Sequence, residues 1–279
     1  MTLLIELPGV LTDTTGLQRI IITTEGFPSD GLTDLFLFED GSGTSPENAI
    51  SGRGVGSIEA VQTTNNAYSW LSGGGIGLQG TQIMSAPASY ITGPWSMVMA
   101  GAMVGSVGAA GPERLGGLMG HREYAESPPR GVSLYMRGGT DWNSGTPDPY
   151  YTGRAQNNGA QGTISVLAPS GGLAPIAKRL LHVLSYDGTG MLTATIYNAD
   201  GVVVASKSWA ASEGQFGLAA GELRTSLRTS VGLGSATFPH TNLQVEAAAN
   251  YSRVLTSDDI PVILAKVKGL GASRGRAWV

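Results

Sequence analysis

Three β-rich runs follow one another between residues 180 and 209 with only turn chemistry between them, and this pattern confines the chain to antiparallel β structure. Leu180-Leu-His-Val-Leu-Ser-Tyr186 leads through Asp187-Gly-Thr-Gly190 into Leu192-Thr-Ala-Thr-Ile-Tyr197, and Asn198-Ala-Asp-Gly201 leads into Val202-Val-Val-Ala-Ser-Lys-Ser-Trp209. β-branched and aromatic residues favour a pleated surface, while Asn, Asp and Gly favour the tight reversals between such runs. A three-stranded meander is expected there, its last two strands forming a hairpin.

The same punctuation pervades the chain. Forty-two of 279 residues are glycine, about twice the usual share, which suits many short strands joined by turns that need positive φ. The continuous apolar run Trp95 to Val104, bounded by Gly93-Pro94 and Gly105, reads as a strand buried on both faces; periodicity alone leaves a short buried helix open, and the flanking residues favour the strand. Ile20-Ile-Ile-Thr-Thr24 is a further β-branched run, within a segment 1–34 that reads as an extended N-terminal arm able to pair with the main sheet or with a neighbour. Near the other end, Thr256-Ser-Asp-Asp259 followed by Ile260 to Lys268 and Gly269 carries a capping group, an acidic first turn, a basic last turn and a terminal glycine. These predict one helix stopping at Gly269.

Only 14% of residues are charged, against about a quarter in ordinary soluble domains. A surface so weakly charged is best explained if neighbouring chains cover part of it, which predicts a homo-oligomer or a larger assembly. The net charge of −4 and pI near 5.4 supply no basic stripe for nucleic acid. No stretch approaches the length of a membrane span, and Met1 to Val10 lack the basic leader of a signal peptide. There is no cysteine, so disulfides and thiolate metal sites are excluded.

In order along the chain, several segments resemble the laminin-G-like branch of the concanavalin A-like jelly rolls. Leu35-Phe-Leu-Phe-Glu-Asp-Gly-Ser-Gly-Thr44 with Ile50-Ser-Gly-Arg-Gly54 resembles the family's opening strand and turn, and Gly74 to Gly80 its next strand. Pro94 to Met99, Leu181 to Gly188 and Leu192 to Val204 resemble the central strands. Val231 to Gly234 and Gln244 to Ile260 resemble the closing segment. The resemblance implies an all-β fold of two packed antiparallel sheets over residues 35–268, with a C-terminal tail at 269–279. It also implies carbohydrate or protein binding, and such domains recur in bacteriophage virion proteins. Together with the low charge, this leads to the expectation of a non-enzymatic virion component, a capsid decoration or tail protein made in the host cytoplasm, with a free lectin as the alternative.

Glycoside hydrolysis needs two carboxylates flanking a scissile bond. The acidic E-x-D-x-x-E strand usual in hydrolase relatives is missing, and the adjacent Asp258-Asp259 fits a helix start instead. Gly271-Ala-Ser-Arg-Gly275 matches a nucleophile-elbow pattern with no histidine after it. Gly75-Ile-Gly-Leu-Gln-Gly80 matches a phosphate-loop pattern that opens no helix. His182 falls within a strand and reads as core or surface rather than ligand. Asn250-Tyr-Ser252 is a nominal glycosylation acceptor.

The segment Gly138 to Arg154 mixes aromatic and planar polar groups in a sequence too broken by glycine and proline to be regular. Trp142, Asn143, Tyr150, Tyr151 and Arg154 are candidate glycan contacts, because sugars want flat aromatic faces beside planar polar groups. Asp141, Asn143 and Asp148 are candidate calcium ligands. An interface or packing loop is the competing reading, since protein contacts favour the same residue types.

Overall fold

The computed structural model describes residues 23–60, 67–79, 82–85, 89–90, 93–105, 116–123, 130–137, 150–157, 160–167, 178–210, 224–225, 228–230 and 241–278. The strands in chain order are β1 (Thr23–Thr24), β2 (Phe27–Pro28), β3 (Leu32–Phe36), β4 (Ser57–Ala60), β5 (Ala67–Trp70), β6 (Ile76–Gln79), β7 (Gln82–Ser85), β8 (Ser89–Tyr90), β9 (Trp95–Gly105) and β10 (Gly116–Glu123). They continue with β11 (Arg130–Arg137), β12 (Tyr150–Asn157), β13 (Ala160–Leu167), β14 (Leu180–Tyr186), β15 (Met191–Tyr197), β16 (Val203–Ala210), β17 (Arg224–Thr225), β18 (Arg228–Ser230) and β19 (Thr241–Tyr251), before helix α1 (Asp259–Ser273).

One sheet runs β16-β15-β14-β9-β19-β6-β5, with β3 beside β6 along the same side of β19; the other runs β13-β12-β11-β10-β18-β7-β4. Every pairing in both is antiparallel. This is the expected all-β, two-sheet sandwich of jelly-roll type with one helix. Non-neighbouring strands such as β9 and β19 are brought together at its centre.

The expected meander is β14-β15-β16, and its turns are built by side chains. Asp187 Oδ1 accepts N–H bonds from Thr189, Gly190 and Met191 at 2.7–3.0 Å, and its Oδ2 accepts the Thr189 hydroxyl at 2.6 Å. The Thr189 hydroxyl first, with those backbone donors, holds the Asp187 carboxyl at about 2, below the usual range. Asn198 Oδ1 takes the N–H groups of Asp200 and Val202 in the next turn (3.0 and 2.9 Å). Replacing Asp187 with alanine should cost about 1 kcal/mol in a urea titration, the usual worth of such a turn cap.

β15 alternates strictly: Leu192, Ala194 and Ile196 are buried, whereas Met191, Thr193, Thr195 and Tyr197 are partly or well exposed. β14 is buried throughout, because one of its faces lies beneath α1. Val98, Ala100, Leu181, Val183, Ala247 and Ala249 form one cluster with Ile260, Ile263, Leu264 and Val267 of the helix. The alternate residues Met97, Met99, His182 and Leu184 point into the opposite face. Position 182 is thus core, one of the two placements the sequence allowed. Asn250 is 1% exposed and donates to Asp34 at 3.2 Å, so the nominal glycosylation motif is shut inside the fold.

Three boundaries stand beside the sequence reading, and the helix end differs from it. Of the run at residues 20–24, Thr23–Thr24 form β1 and the rest lie outside the described residues. β3 spans the arm boundary placed at 34 and pairs with β19 of the main sheet, one of the two pairings open to the arm. The helix passes Gly269 and ends four residues later. There Gly275 adopts φ +69°, and the Gly275 and Arg276 N–H groups return to Ala272 O and Gly271 O at 3.1 and 2.7 Å. That is the left-handed stop that glycine provides most cheaply. Asp258 makes no capping bond; the neighbouring Asp259 instead accepts the Thr256 N–H at 2.7 Å and pairs with Arg253 at 2.6 Å. Among the described residues no helix is long and apolar enough to cross a membrane.

Candidate functional site

Of the loop singled out by sequence, Asp141, Trp142, Asn143 and Asp148 lie outside the described residues. Tyr150, Tyr151 and Arg154 do not belong to an irregular segment; they sit on β12, opposite Arg137, Met136 and Ser133 of β11. Ladders on both sides, to β11 and β13, supply the backbone partners that override the local glycine and proline signals. The structure therefore strings these three along one strand.

The described residues contain a cleft that sequence reasoning did not pick out. Its volume is about 360 Å3, and Leu37, Phe38, Glu39, Asp40, Glu47 and Ala49 line it. The chain leaves β3 through Phe38, which is buried at φ +54°. That conformation is held from two sides, because Gly75 N–H donates to Phe38 O and Ala49 N–H donates to Leu35 O, each at 2.8 Å. The following turn is folded by Asp40, whose carboxylate accepts the Glu47 N–H at 3.3 Å. It is braced by Trp70, whose indole N–H donates to Gly43 O at 2.9 Å. The result is a cleft in which Leu37, Phe38 and Ala49 lie beside three carboxylates. Such groups accept hydrogen bonds from hydroxyls or amines. Among the described residues no group of three acidic or imidazole side chains is arranged to hold a metal ion. The only sequence signal was Glu39, Asp40 and Glu47 clustered just after a strand.

Two buried ionic junctions fix the walls. Asp34, fully buried, accepts Arg53 Nε at 3.0 Å, Asn48 Nδ2 at 2.9 Å and Asn250 Nδ2 at 3.2 Å, tying residues 48–53 to the sheet. Replacing Asp34 with alanine should cost about 2 kcal/mol by chemical denaturation, below the full penalty of a broken buried pair because Arg53 keeps some access to water.

The second junction centres on Glu246, which is fully buried. It receives Arg276 Nε at 2.6 Å, Arg179 Nε at 3.1 Å and Arg274 Nη1 at 3.2 Å. Arg274 also donates to Leu37 O at 2.7 Å, and Arg276 donates to Ser72 O at 2.8 Å and to Gly74 O. Burial alone would raise the Glu246 carboxyl; the three guanidiniums outweigh it and hold the group below the usual range. Glu246 is able to reach them because β19 is irregular there: Val245 faces Gly101 and Ala247 faces Ala100, leaving Glu246 as the extra residue of a bulge. The bulge crowds its partner, and a Cβ on Gly101 would lie 2.2 Å from Gln244 O. Gly101→Ala should therefore lower stability by about 2 kcal/mol in a thermal or urea melt. Arg274 stands 3.6 Å from Glu39, so this junction backs the cleft directly.

No family model matches the sequence, and no curated protein does. Solved structures do share the architecture. The botulinum neurotoxin serotype D binding domain aligns at TM-score 0.56 with 11% identity, over 85% of this chain and 51% of that one. A botulinum neurotoxin type C structure, described with cell entry dependent on two ganglioside molecules, aligns at 0.52 with 10% identity, over 84% and 51%. The binding domain of Paraclostridial Mosquitocidal Protein 1 aligns at 0.52 with 8% identity, over 84% and 52%. This chain spans about half the length of each. The likeness is one of fold: a β-sandwich of the kind found in receptor-binding domains.

Proposed function

We propose that this chain is a non-catalytic binding module that engages a cell-surface glycan and works within a larger assembly, as a capsid decoration or tail component of a virion. The observation that carries the binding reading is the cleft at Leu37 to Ala49. It is a concave site where apolar side chains lie beside three hydrogen-bond-accepting carboxylates, tied to the sheet by two buried ionic junctions. A site fixed in this way loses little conformational entropy when it binds. The shared fold supports the reading, since a type C neurotoxin of the same architecture is described as depending on gangliosides for entry. The assembly reading rests on the low charge of the chain.

Screening the full-length chain on a glycan array tests the first part, followed by titration of any hit against Glu47→Gln and Trp142→Ala. We expect a specific glycan class, with affinity lowered about tenfold, the equivalent of 1.4 kcal/mol, by whichever substitution touches it. An array with no hit above background overturns the glycan reading. Light scattering of the full chain beside one lacking residues 1–22 tests the second part. The cut belongs at 22 because Phe27 and β3 are part of the folded core.

A further inference from the structure

A sheet edge carries unpaired N–H and C=O groups, and proteins that remain monomeric blunt such edges by keeping them short, charged or bulged. The four terminal strands differ in this respect. β4 and β5 have four residues each. β13 has eight but is interrupted near its middle, where Gly153 and Arg154 face Ser165 and Thr163 and leave Ile164 unmatched. β16 also has eight, but its irregularity falls at the start, with Val204 unmatched between Val203 and Ala205. Six consecutive regular residues, Ala205 to Ala210, remain. They hold no proline and a single charge, Lys207. Among the described residues β16 is hydrogen-bonded to β15 alone; β13, the end strand of the other sheet, passes close to it without joining its ladder, and Val202 and Val203 at its mouth are 58% and 44% exposed.

We propose that β16 is an interface between two copies of this chain, paired antiparallel across a twofold axis with Ser208 opposite its own counterpart. This deepens the assembly reading and rests on it by naming the surface used. The occupant and register follow from symmetry and charge. A twofold normal to the sheet keeps each residue on its own face, so paired positions must sum to an even number. Two registers match five of the six regular residues. Centring on Lys207 sets like charges directly opposite one another, which is destabilising. Centring on Ser208 sets Lys207 against position 209 and Ser206 against Ala210, with no charge facing its like. The outer face of this edge carries the hydroxyl pairs Thr193–Ser208 at 2.8 Å and Thr195–Ser206 at 3.1 Å. Those pairs continue across the axis, so two eight-stranded sheets become one.

The chain has no cysteine, so single substitutions report the register without background. Opposed residues of an antiparallel pair have Cα atoms about 4.5–5.5 Å apart, within disulfide range. Residue 206 and its counterpart would be about 13 Å apart, from a spacing of four residues at about 3.3 Å each. Full-length Ser208→Cys under mild oxidation is expected to run as a covalent dimer, with Ser206→Cys at least tenfold slower. The parent should scatter as a dimer, and circular dichroism should confirm that both variants are folded. If the parent assembles but Ser208→Cys does not crosslink faster than Ser206→Cys, this surface is wrong while assembly stands. A parent that is monomeric at every concentration overturns both.

Discussion

Glu246→Ala is expected to cost about 4 kcal/mol, measured as the loss of unfolding free energy in urea, the range found when one partner of a buried ion pair is removed. The expectation rests on what the substitution leaves behind. Arg274 has a side chain only 2% exposed, and without Glu246 it keeps the carbonyls of Leu37 and residue 246 and, for its charge, only the exposed Glu39 carboxylate 3.6 Å away. Arg179 and Arg276 are 15% and 14% exposed and turn partly to water, so they lose less. Hence Arg276→Ala, which leaves Glu246 two guanidiniums, should cost about half as much by the same logic. A Glu246→Ala chain within about 1 kcal/mol of the parent, well below the buried-pair range, would show that the junction does not hold the C-terminal segment.

The same junction explains where sequence reasoning stopped. The hairpin and meander were legible because their signals are local: Asp187 and Asn198 fold their turns with their own side chains and need no distant partner. The helix start was legible for a related reason, although the working acid is Asp259, chosen over Asp258 by Arg253 six residues upstream. The helix end was not legible. Gly269 and Gly275 read alike in sequence, and the choice between them is made by Arg274 and Arg276 reaching Glu246 across nearly thirty positions.

The cleft was hidden for a similar reason. Its lining comes from a strand end and the turn after it, but its backing comes from the C-terminus. Glu39 and Asp40 look like any solvated pair until that packing is known. The strand at Tyr150 was misread because ladder partners on both sides, far off in sequence, outvote the prolines and glycines beside it. The other loop residues proposed for glycan or calcium are not among those described.

Mild acid should destabilise this protein because of His182. The ring is 1% exposed, with Nδ1 3.4 Å from Met99 O on the neighbouring strand β9. Burial pushes its pKa down from the usual 6.5 to about 4, against the opposing pull of the Met99 and Leu180 backbone. The native state therefore refuses a proton that the unfolded chain accepts. The resulting stability is present in full above pH 6.5, erodes as the pH falls towards 4, and is gone below that. Two and a half pKa units correspond to about 3 kcal/mol in total, of which about 2 kcal/mol is already lost at pH 5. Glu246 and Asp259 have lowered pKa values, so their contribution disappears only at lower pH, and the difference between the parent and a His182 variant from pH 6.5 to 4.5 isolates this histidine from the other two. Unfolding free energy measured across that interval should fall about 2 kcal/mol further by pH 5 for the parent than for His182→Leu, whatever the absolute stability of the variant. Equal slopes for the two chains would mean that the imidazole accepts its proton without leaving the core.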